Sequence, residues 1–393
     1  MPVLGIDSPF DTLRTLGKGG GVIDGWDAYG DSLVEGSSGG GGGTYYFTTQ
    51  LSRYLSYLGL PSTVINHGTA GETSTQVADR AVARSAQYRN LIFWAGRNEN
   101  IAGTSQAALV ALVVGNAQRV INTLRSGQTL WVFPVHNGNY EAGAGREGAT
   151  GGLTTNYTKI MAINSGLAAL DNGTTVRFLD TRALLVNHYV IGNFQDESDF
   201  GEDQPASTTT AVDGRHPDSI GYNEIVRSIA WAHYLTTTLY AARGNLITDT
   251  GTAAWTQSNS PTFSYSAGLY TVAATAAFSA VAQAASGSGY SGKRLLLHWN
   301  IQDPSGANKI QMRPFVGGGS DFPVSAGYFG NPFFYNISPG AETPGVNLAN
   351  RKKSMHQMIF VDANTSTAAI LLGASNDAAA SFKFSNPIVQ QIT

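Results

Sequence analysis

The chain of 393 residues contains no cysteine. Disulfides, zinc–thiolate centres and cysteine nucleophiles are therefore excluded, and cysteine usage leaves the redox compartment open. Charge is scarce as well: Asp, Glu, Lys and Arg make up 13% of the residues, about half the usual share. The formal net charge is −3, so no basic excess marks a nucleic-acid partner or a membrane-surface protein. No run approaches the roughly 18 apolar residues that would span a bilayer. The N-terminal Met1-Pro2-Val3-Leu4-Gly5-Ile6-Asp7 has neither a basic segment nor a long apolar stretch, so no signal peptide is expected.

What is present is small and apolar. Hydrophobic residues reach 42%, enough for sizeable cores, and the length suits two domains. Gly is abundant at 47 residues, with frequent Ala, Ser and Thr. Such composition suits β-rich extracellular or virion proteins and favours them over a cytoplasmic location. Two glycosylation sequons, Asn156-Tyr157-Thr158 and Asn336-Ile337-Ser338, are read as chance matches in the absence of a secretory signal.

Residues 1–20 read as a leader or linker. From 21 to 245, β-like runs at Val22–Tyr29, Ser62–Asn66, Asn90–Trp94, Thr129–Val135 and Thr175–Leu179 alternate with helical segments. The helices are expected at Tyr45–Leu58, Thr104–Leu124, Thr155–Leu170 and Ser219–Ala242. In the first of these, Phe47, Leu51, Tyr54, Leu55 and Leu58 share one face. Strands alternating with helices imply an α/β fold with a parallel sheet covered on both sides, and ligands at the carboxyl ends of its strands. The pattern changes near Asn245. Residues 250–393 show β-like runs at Phe263–Tyr270, Arg294–Ile301, Ile310–Val316, Met358–Val361, Ala368–Leu372 and Phe382–Val389, an antiparallel β-sandwich by pattern. Asp303-Pro304-Ser305-Gly306 and Asp362-Ala363-Asn364 read as hairpin loops.

The chemistry-bearing residues lie at the ends of these runs. Gly30-Asp31-Ser32-Leu33 places a serine on a strand-to-helix turn, where acyl-transfer enzymes expose a nucleophile. A serine nucleophile needs a base, an orienting carboxylate and oxyanion donors. Asp213-Gly214-Arg215-His216-Pro217 offers Asp213 and His216 three apart, although Asp213 and Asp218 can equally shape and cap the helix that follows. Gly71, after the second strand, can present a bare backbone N–H, or be a plain turn glycine. Asn98 in Gly96-Arg97-Asn98-Glu99 can offer its side-chain amide, or belong to an ordinary strand-end turn.

The four blocks, in this order, resemble the SGNH hydrolases, or GDSL esterases/lipases. The resemblance covers about residues 21–245. It implies a three-layer α/β/α flavodoxin-like domain acting through an acyl-serine, with no metal and no cofactor. Ser32 would attack, His216 would take its proton, and Asp213 would hold the imidazolium. The backbone N–H groups of Ser32 and Gly71, with the Asn98 side chain, would bind the oxyanion. Two departures stand out: Glu99 replaces the family's aspartate after the asparagine, and Gly36 and Gly39–Gly43 follow the nucleophile where the family starts its helix promptly.

Arg97, Arg215 and His136 are candidate substrate contacts beside the blocks; His67 and His136 follow strand ends and could line the cleft or be structural or incidental, and none of the remaining histidines has metal-ligand spacing with a partner. The acidic run Asp196, Glu197, Asp199, Glu202 and Asp203 reads as solvated surface, with a calcium loop as the alternative. Jelly-roll-like modules beside such catalytic domains resemble those of carbohydrate esterases and of phage tail deacetylases. That implies an acetylated polysaccharide as partner, and a homotrimer if this is a tail protein. Trp255, Tyr265, Tyr270, Tyr290, Trp299, Phe333, Phe334 and Tyr335 could stack on sugar rings or form the core of the sandwich. A short-chain esterase and a non-catalytic glycan-binding protein are the alternatives.

Overall fold

The computed structural model describes residues 22–36, 47–84, 88–136, 155–181, 219–248, 250–258, 260–274, 280–286, 289–290, 292–305, 310–315, 355–362, 369–374 and 380–392. In chain order these form β1 (Ile23–Gly30), α1 (Ser32–Glu35), α2 (Phe47–Tyr57), β2 (Val64–Gly68), α3 (Ser74–Val82), β3 (Tyr88–Trp94) and α4 (Gln106–Ile121). Then come β4 (Thr129–Val132), α5 (Thr155–Ala168), β5 (Val176–Phe178), α6 (Ser219–Tyr234) and α7 (Thr238–Arg243). The remainder is all β: β6 (Thr256–Ser258), β7 (Thr262–Ser266), β8 (Leu269–Ala274), β9 (Ala280–Ala284), β10 (Arg294–Ser305), β11 (Ile310–Phe315), β12 (Met355–Asp362), β13 (Ala369–Ala374) and β14 (Ala380–Gln391).

By its contacts the chain forms two compact units. The first comprises Met1–Glu35, Pro61–Val135 and Lys159–Leu179, and the second Gly36–Leu60, His136–Thr158 and Asp180–Thr393. The first unit holds a five-stranded sheet in the order β2-β1-β3-β4-β5. Every pair in it is parallel, as the alternating pattern predicts. This is the flavodoxin-like order, and its strand order reverses between β1 and β3. Tyr29, Leu91, Phe93, Leu130 and Val132 form one buried face with α3, α4 and α5. The other face, with Trp26, Ala28, Ile92, Trp94, Trp131 and Phe133, is buried too. A parallel sheet needs both faces covered, and this one has them. On the second face the aromatics pack on one another: Trp26 lies 5.7 Å from Trp131 and Trp94 5.4 Å from Phe133, centroid to centroid.

The second unit contains two antiparallel sheets, β12-β10-β14-β8-β7 and β11-β13-β9-β6, with β13 packed near β8 and β14. It also holds α2, α6 and α7. Phe47 of α2 and Tyr222 of α6 lie 6.4 Å apart. Trp231 of α6 stacks on His298 of β10 at 3.5 Å, and the Tyr234 hydroxyl donates to Gln390 Oε1 at 2.7 Å. Arg243 donates to the carbonyls of Leu58 and Ile392, at 2.8 and 3.1 Å.

Four expectations about local structure are corrected. The helix over Ser219–Ala242 is two helices, broken after Tyr234 and restarted at Thr237, whose hydroxyl accepts from the Tyr240 N–H at 3.2 Å. The run Phe263–Tyr270 is a hairpin, β7 to β8, turning on Ala267 and Gly268 at φ +50° and +81°. Two successive positive φ values are what a tight two-residue hairpin turn needs. Conversely, Asp303–Gly306 and Asp362–Asn364 join no hairpins, because β10 and β11, like β12 and β13, lie in different sheets. Helix α3 was not expected at all.

Candidate active site

The point where the strand order reverses sets the site. Gly30 ends β1, opposite Gly68 of β2 and Trp94 of β3. The loops that follow these three strands carry Ser32, Gly71 and Asn98, as the sequence predicts. In this fold the crevice for ligands opens beside such carboxyl ends.

The turn into α1 is tight. A Cβ on Gly30 would come within 2.6 Å of the Trp94 carbonyl, and one on Gly68 within 2.1 Å of the Glu35 nitrogen. Both positions therefore accept only glycine, and the end of β2 sits directly against the turn that carries Ser32. Asn66 fastens the two together: its amide donates to the carbonyls of Val34 at 3.0 Å and Glu35 at 3.3 Å, while its Oδ1 accepts from the Gly68 N–H. Ser32 itself is partly exposed at the start of the turn.

Asp31 is buried, at 1% exposure. Its Oδ1 accepts from the Leu33 N–H at 3.0 Å, and its Oδ2 faces the Asn98 amide nitrogen at 3.4 Å. Burial pushes the carboxyl up to about 7. The Leu33 hydrogen bond and the Arg97 charge pull it down, and the Glu72 charge pushes it further up. Arg97 is thus close enough to Asp31 to be felt electrostatically.

Gly71 adopts φ +80°, the left-handed region, with open space where a Cβ would stand. Next to it, the Glu72 carbonyl accepts from Asn98 Nδ2 at 3.0 Å. The Asn98 amide is thereby aimed at the ground between the Gly71 loop and the serine turn. Glu99 fastens the segment that follows: its Oε1 accepts from the Ser74 N–H at 2.6 Å, at the start of α3. The Glu99 carboxylate thus holds a helix start.

Sequence reasoning missed Arg80 and Glu72. Arg80 Nε lies 3.1 and 2.9 Å from the two Glu72 carboxylate oxygens, and Arg80 Nη2 lies 3.2 Å from the Gly30 carbonyl. Arg80 Nη1 donates to the His67 carbonyl, and Nη2 also meets Glu72 Oε2. The signal that could have found Arg80 is the Thr73-x-x-Gln76 capping box that opens its helix. The Gln76 side chain accepts from the Thr73 N–H at 2.9 Å.

His67 Nε2 lies 2.8 Å from Oδ1 of the buried Asp27, and the ring stacks on Tyr29 at 4.4 Å. These contacts give His67 a structural role. Burial, then the Asp27 charge, pushes the Tyr29 hydroxyl up to about 12, against the pull of Arg84 and Arg80. His136 is buried, with Nε2 2.8 Å from Thr181 Oγ1. Asp213, Arg215 and His216 lie outside the described residues, as do the acidic run, the Gly39–Gly43 stretch, Phe333, Phe334 and Tyr335. Of the aromatics that could face a sugar, Trp255, Tyr270 and Tyr290 are buried; Tyr270 stacks on Phe384 at 4.6 Å. Tyr265, half-buried on β7, packs 4.6 Å from Tyr270.

Neither a family profile nor a curated protein sequence matches the chain. Among solved structures, a lipase from a goat rumen metagenome is similar at a TM-score of 0.41 and 12% identity, over 55% of this chain and all of that one. A lipase/acylhydrolase from Enterococcus faecalis is similar at a TM-score of 0.39 and 15% identity, over 54% of this chain and 96% of its own. A two-domain esterase active on acetylated mannans is similar at a TM-score of 0.37 and 10% identity, over 97% of this chain and 94% of that one. The parallel sheet runs in the order β2-β1-β3-β4-β5, and Gly30-Asp31-Ser32, Gly71 and Asn98 follow the ends of its first three strands, a flavodoxin-like arrangement that fits the α/β fold expected from the sequence.

Proposed function

We propose that the protein is a serine esterase that removes acyl groups, most favourably O-acetyl groups, from a polysaccharide. The observation that carries this reading is the orientation of Asn98: its amide is anchored on the Glu72 carbonyl beside Gly71 and faces the carboxyl group next to Ser32. An amide nitrogen has two hydrogens to give. The one on Glu72 is well placed at 3.0 Å, whereas the 3.4 Å approach to Asp31 is long for such a bond. The second hydrogen is the one a developing oxyanion would take.

In this reading His216 accepts the Ser32 proton as Ser32 Oγ attacks the ester carbonyl, with Asp213 fixing the imidazole tautomer. The tetrahedral oxyanion is met by the N–H groups of Ser32 and Gly71 and by Asn98. Collapse expels the sugar alcohol, which takes the proton from His216. Water, deprotonated by His216, then releases acetate and restores Ser32. Residues 21–245 make up the catalytic domain and 250–393 the appended module. Arg97 and Arg215 are the side chains assigned to contact a polar or anionic part of the substrate.

Polysaccharide is favoured over lipid because the blocks around Ser32 are rich in Gly, Thr, Asn and Arg. A virion or extracellular setting fits the small-residue composition, and a trimer fits a tail protein. A general short-chain esterase is the second reading; burial of Trp255, Tyr270 and Tyr290 favours it by removing three rings from a sugar platform. Acetate release from a panel of acetylated polysaccharides, with Ser32→Ala as control, separates the two. Release from at least one polymer, lost in Ser32→Ala, is expected. Turnover of small acetates alone would select the second reading, and full turnover by Ser32→Ala would end both.

A further inference from the structure

We propose that Arg80 is a positioning residue of the oxyanion hole, a clamp that ties the ends of β1 and β2 to the Gly71–Glu72 loop. The inference rests on the esterase reading above and adds a residue to it. The Thr69 N–H ties the start of the loop to the Gly30 carbonyl at 3.1 Å, but beyond it the loop is weakly held. Gly71 meets no neighbour where a side chain would stand, and the turn bond from the Glu72 N–H to the Thr69 carbonyl is long at 3.4 Å. Yet this loop must present two donors at fixed places: the Gly71 N–H, and the Asn98 amide that hangs on the Glu72 carbonyl.

Arg80 supplies the restraint at the Glu72 end of the loop. It lies near the end of α3, and helical side chains lean toward the helix N-terminus, so its guanidinium reaches back across two turns to Glu72. There it spends its donors in three directions: on the Glu72 carboxylate, on the His67 carbonyl of β2 and, at 3.2 Å, on the Gly30 carbonyl of β1. Gly30 precedes Asp31 and Ser32, so one planar group references the oxyanion loop to the strand that delivers the nucleophile. A planar fork with five N–H donors can do this, whereas the compact ammonium of lysine cannot reach all three. Side-chain exposures of 32% for Arg80 and 16% for Glu72 place the pair where water screens it only in part.

Donors that act on the transition state alone should change turnover rather than affinity. The test uses the full chain with 4-nitrophenyl acetate and the variants Arg80→Met, Arg80→Lys, Glu72→Gln and Asn98→Ala. Arg80→Met is expected to lower kcat about tenfold to a hundredfold with KM within about twofold, since a displaced donor costs somewhat less than a deleted one. Arg80→Lys should recover part of the loss. In an Asn98→Ala background, Arg80→Met should cost less than it does in the wild type, because the part of its effect that runs through the Asn98 amide is already lost and only the part through the Gly71 N–H remains. Hydrogen exchange over residues 68–74 should speed up in Arg80→Met. A folded Arg80→Met with kcat within about twofold of wild type overturns the clamp, as does a loss fully multiplicative with that of Asn98→Ala. Should Arg80→Met fail to fold, Glu72→Gln carries the same comparison with its shape preserved. If the wild-type protein shows no Ser32-dependent turnover, the esterase reading falls. The exchange measurement then decides the clamp alone, and unchanged protection overturns it.

Discussion

Asp31 gives the sharpest physical prediction. Its carboxyl is buried and pushed from 3.8 to about 7, with loss of solvation as the main cause. A carboxyl that holds its proton more tightly in the folded state makes the fold most stable where both states are protonated. That contribution is fully present below about 3.8, is lost as pH rises, and is gone above about 7. Roughly three units at about 1.4 kcal/mol each amount to about 4 kcal/mol across the window. Asp31→Asn cannot ionise and should escape the loss. The asparagine keeps an oxygen for the Leu33 N–H but turns a donor toward Asn98, which costs about 1 kcal/mol at every pH. Urea unfolding of both proteins from pH 5 to pH 9 isolates the effect, because the other titrating groups cancel in the difference. The variant should gain about 3 kcal/mol on the wild type between those limits. A difference that stays flat, or that moves the other way, would show that Asp31 is solvated or firmly paired when charged, and would refute the burial argument.

Two further outcomes follow from packing. Gly68→Ala should lower the thermal midpoint sharply, costing about 3 kcal/mol or more, since the added carbon would sit 2.1 Å from the Glu35 backbone nitrogen, which has no rotamer to give; a variant melting within a degree or two of wild type would contradict the close approach. Lys159→Met should destabilise the chain by about 1–3 kcal/mol in urea unfolding, because the buried ammonium donates to the carbonyls of Ile101 and Ala102 at 2.8 and 3.1 Å, which would lose their partner.

The five parallel strands could be read from the sequence because each is an apolar run flanked by helical periodicity, and their carboxyl ends located Ser32, Gly71 and Asn98. The helix over Ser74–Val82 is short and largely polar, so little beyond its Thr73-x-x-Gln76 capping box marks it, and Arg80 is hidden with it. The hairpin at Ala267-Gly268 was invisible because alanine seldom adopts positive φ, so no turn signal interrupts the β-like run. The opposite error came at Asp303–Gly306 and Asp362–Asn364, where turn residues are present but the chain passes to the other sheet. Turn chemistry is local, whereas the partner of the next strand is not.

By itself, the sequence determined the class of fold, the order of the site blocks and the exclusion of cysteine chemistry, because these follow from periodicity and residue type. Only tertiary structure decided the rest: that a buried aspartate beside Ser32 faces the Asn98 amide, that Glu99 holds a helix start, and that Arg80 binds three segments distant in sequence. Burial and long-range hydrogen bonds depend on which surfaces meet. No local pattern in the chain encodes that without the sheet order that brings β1, β2 and β3 side by side.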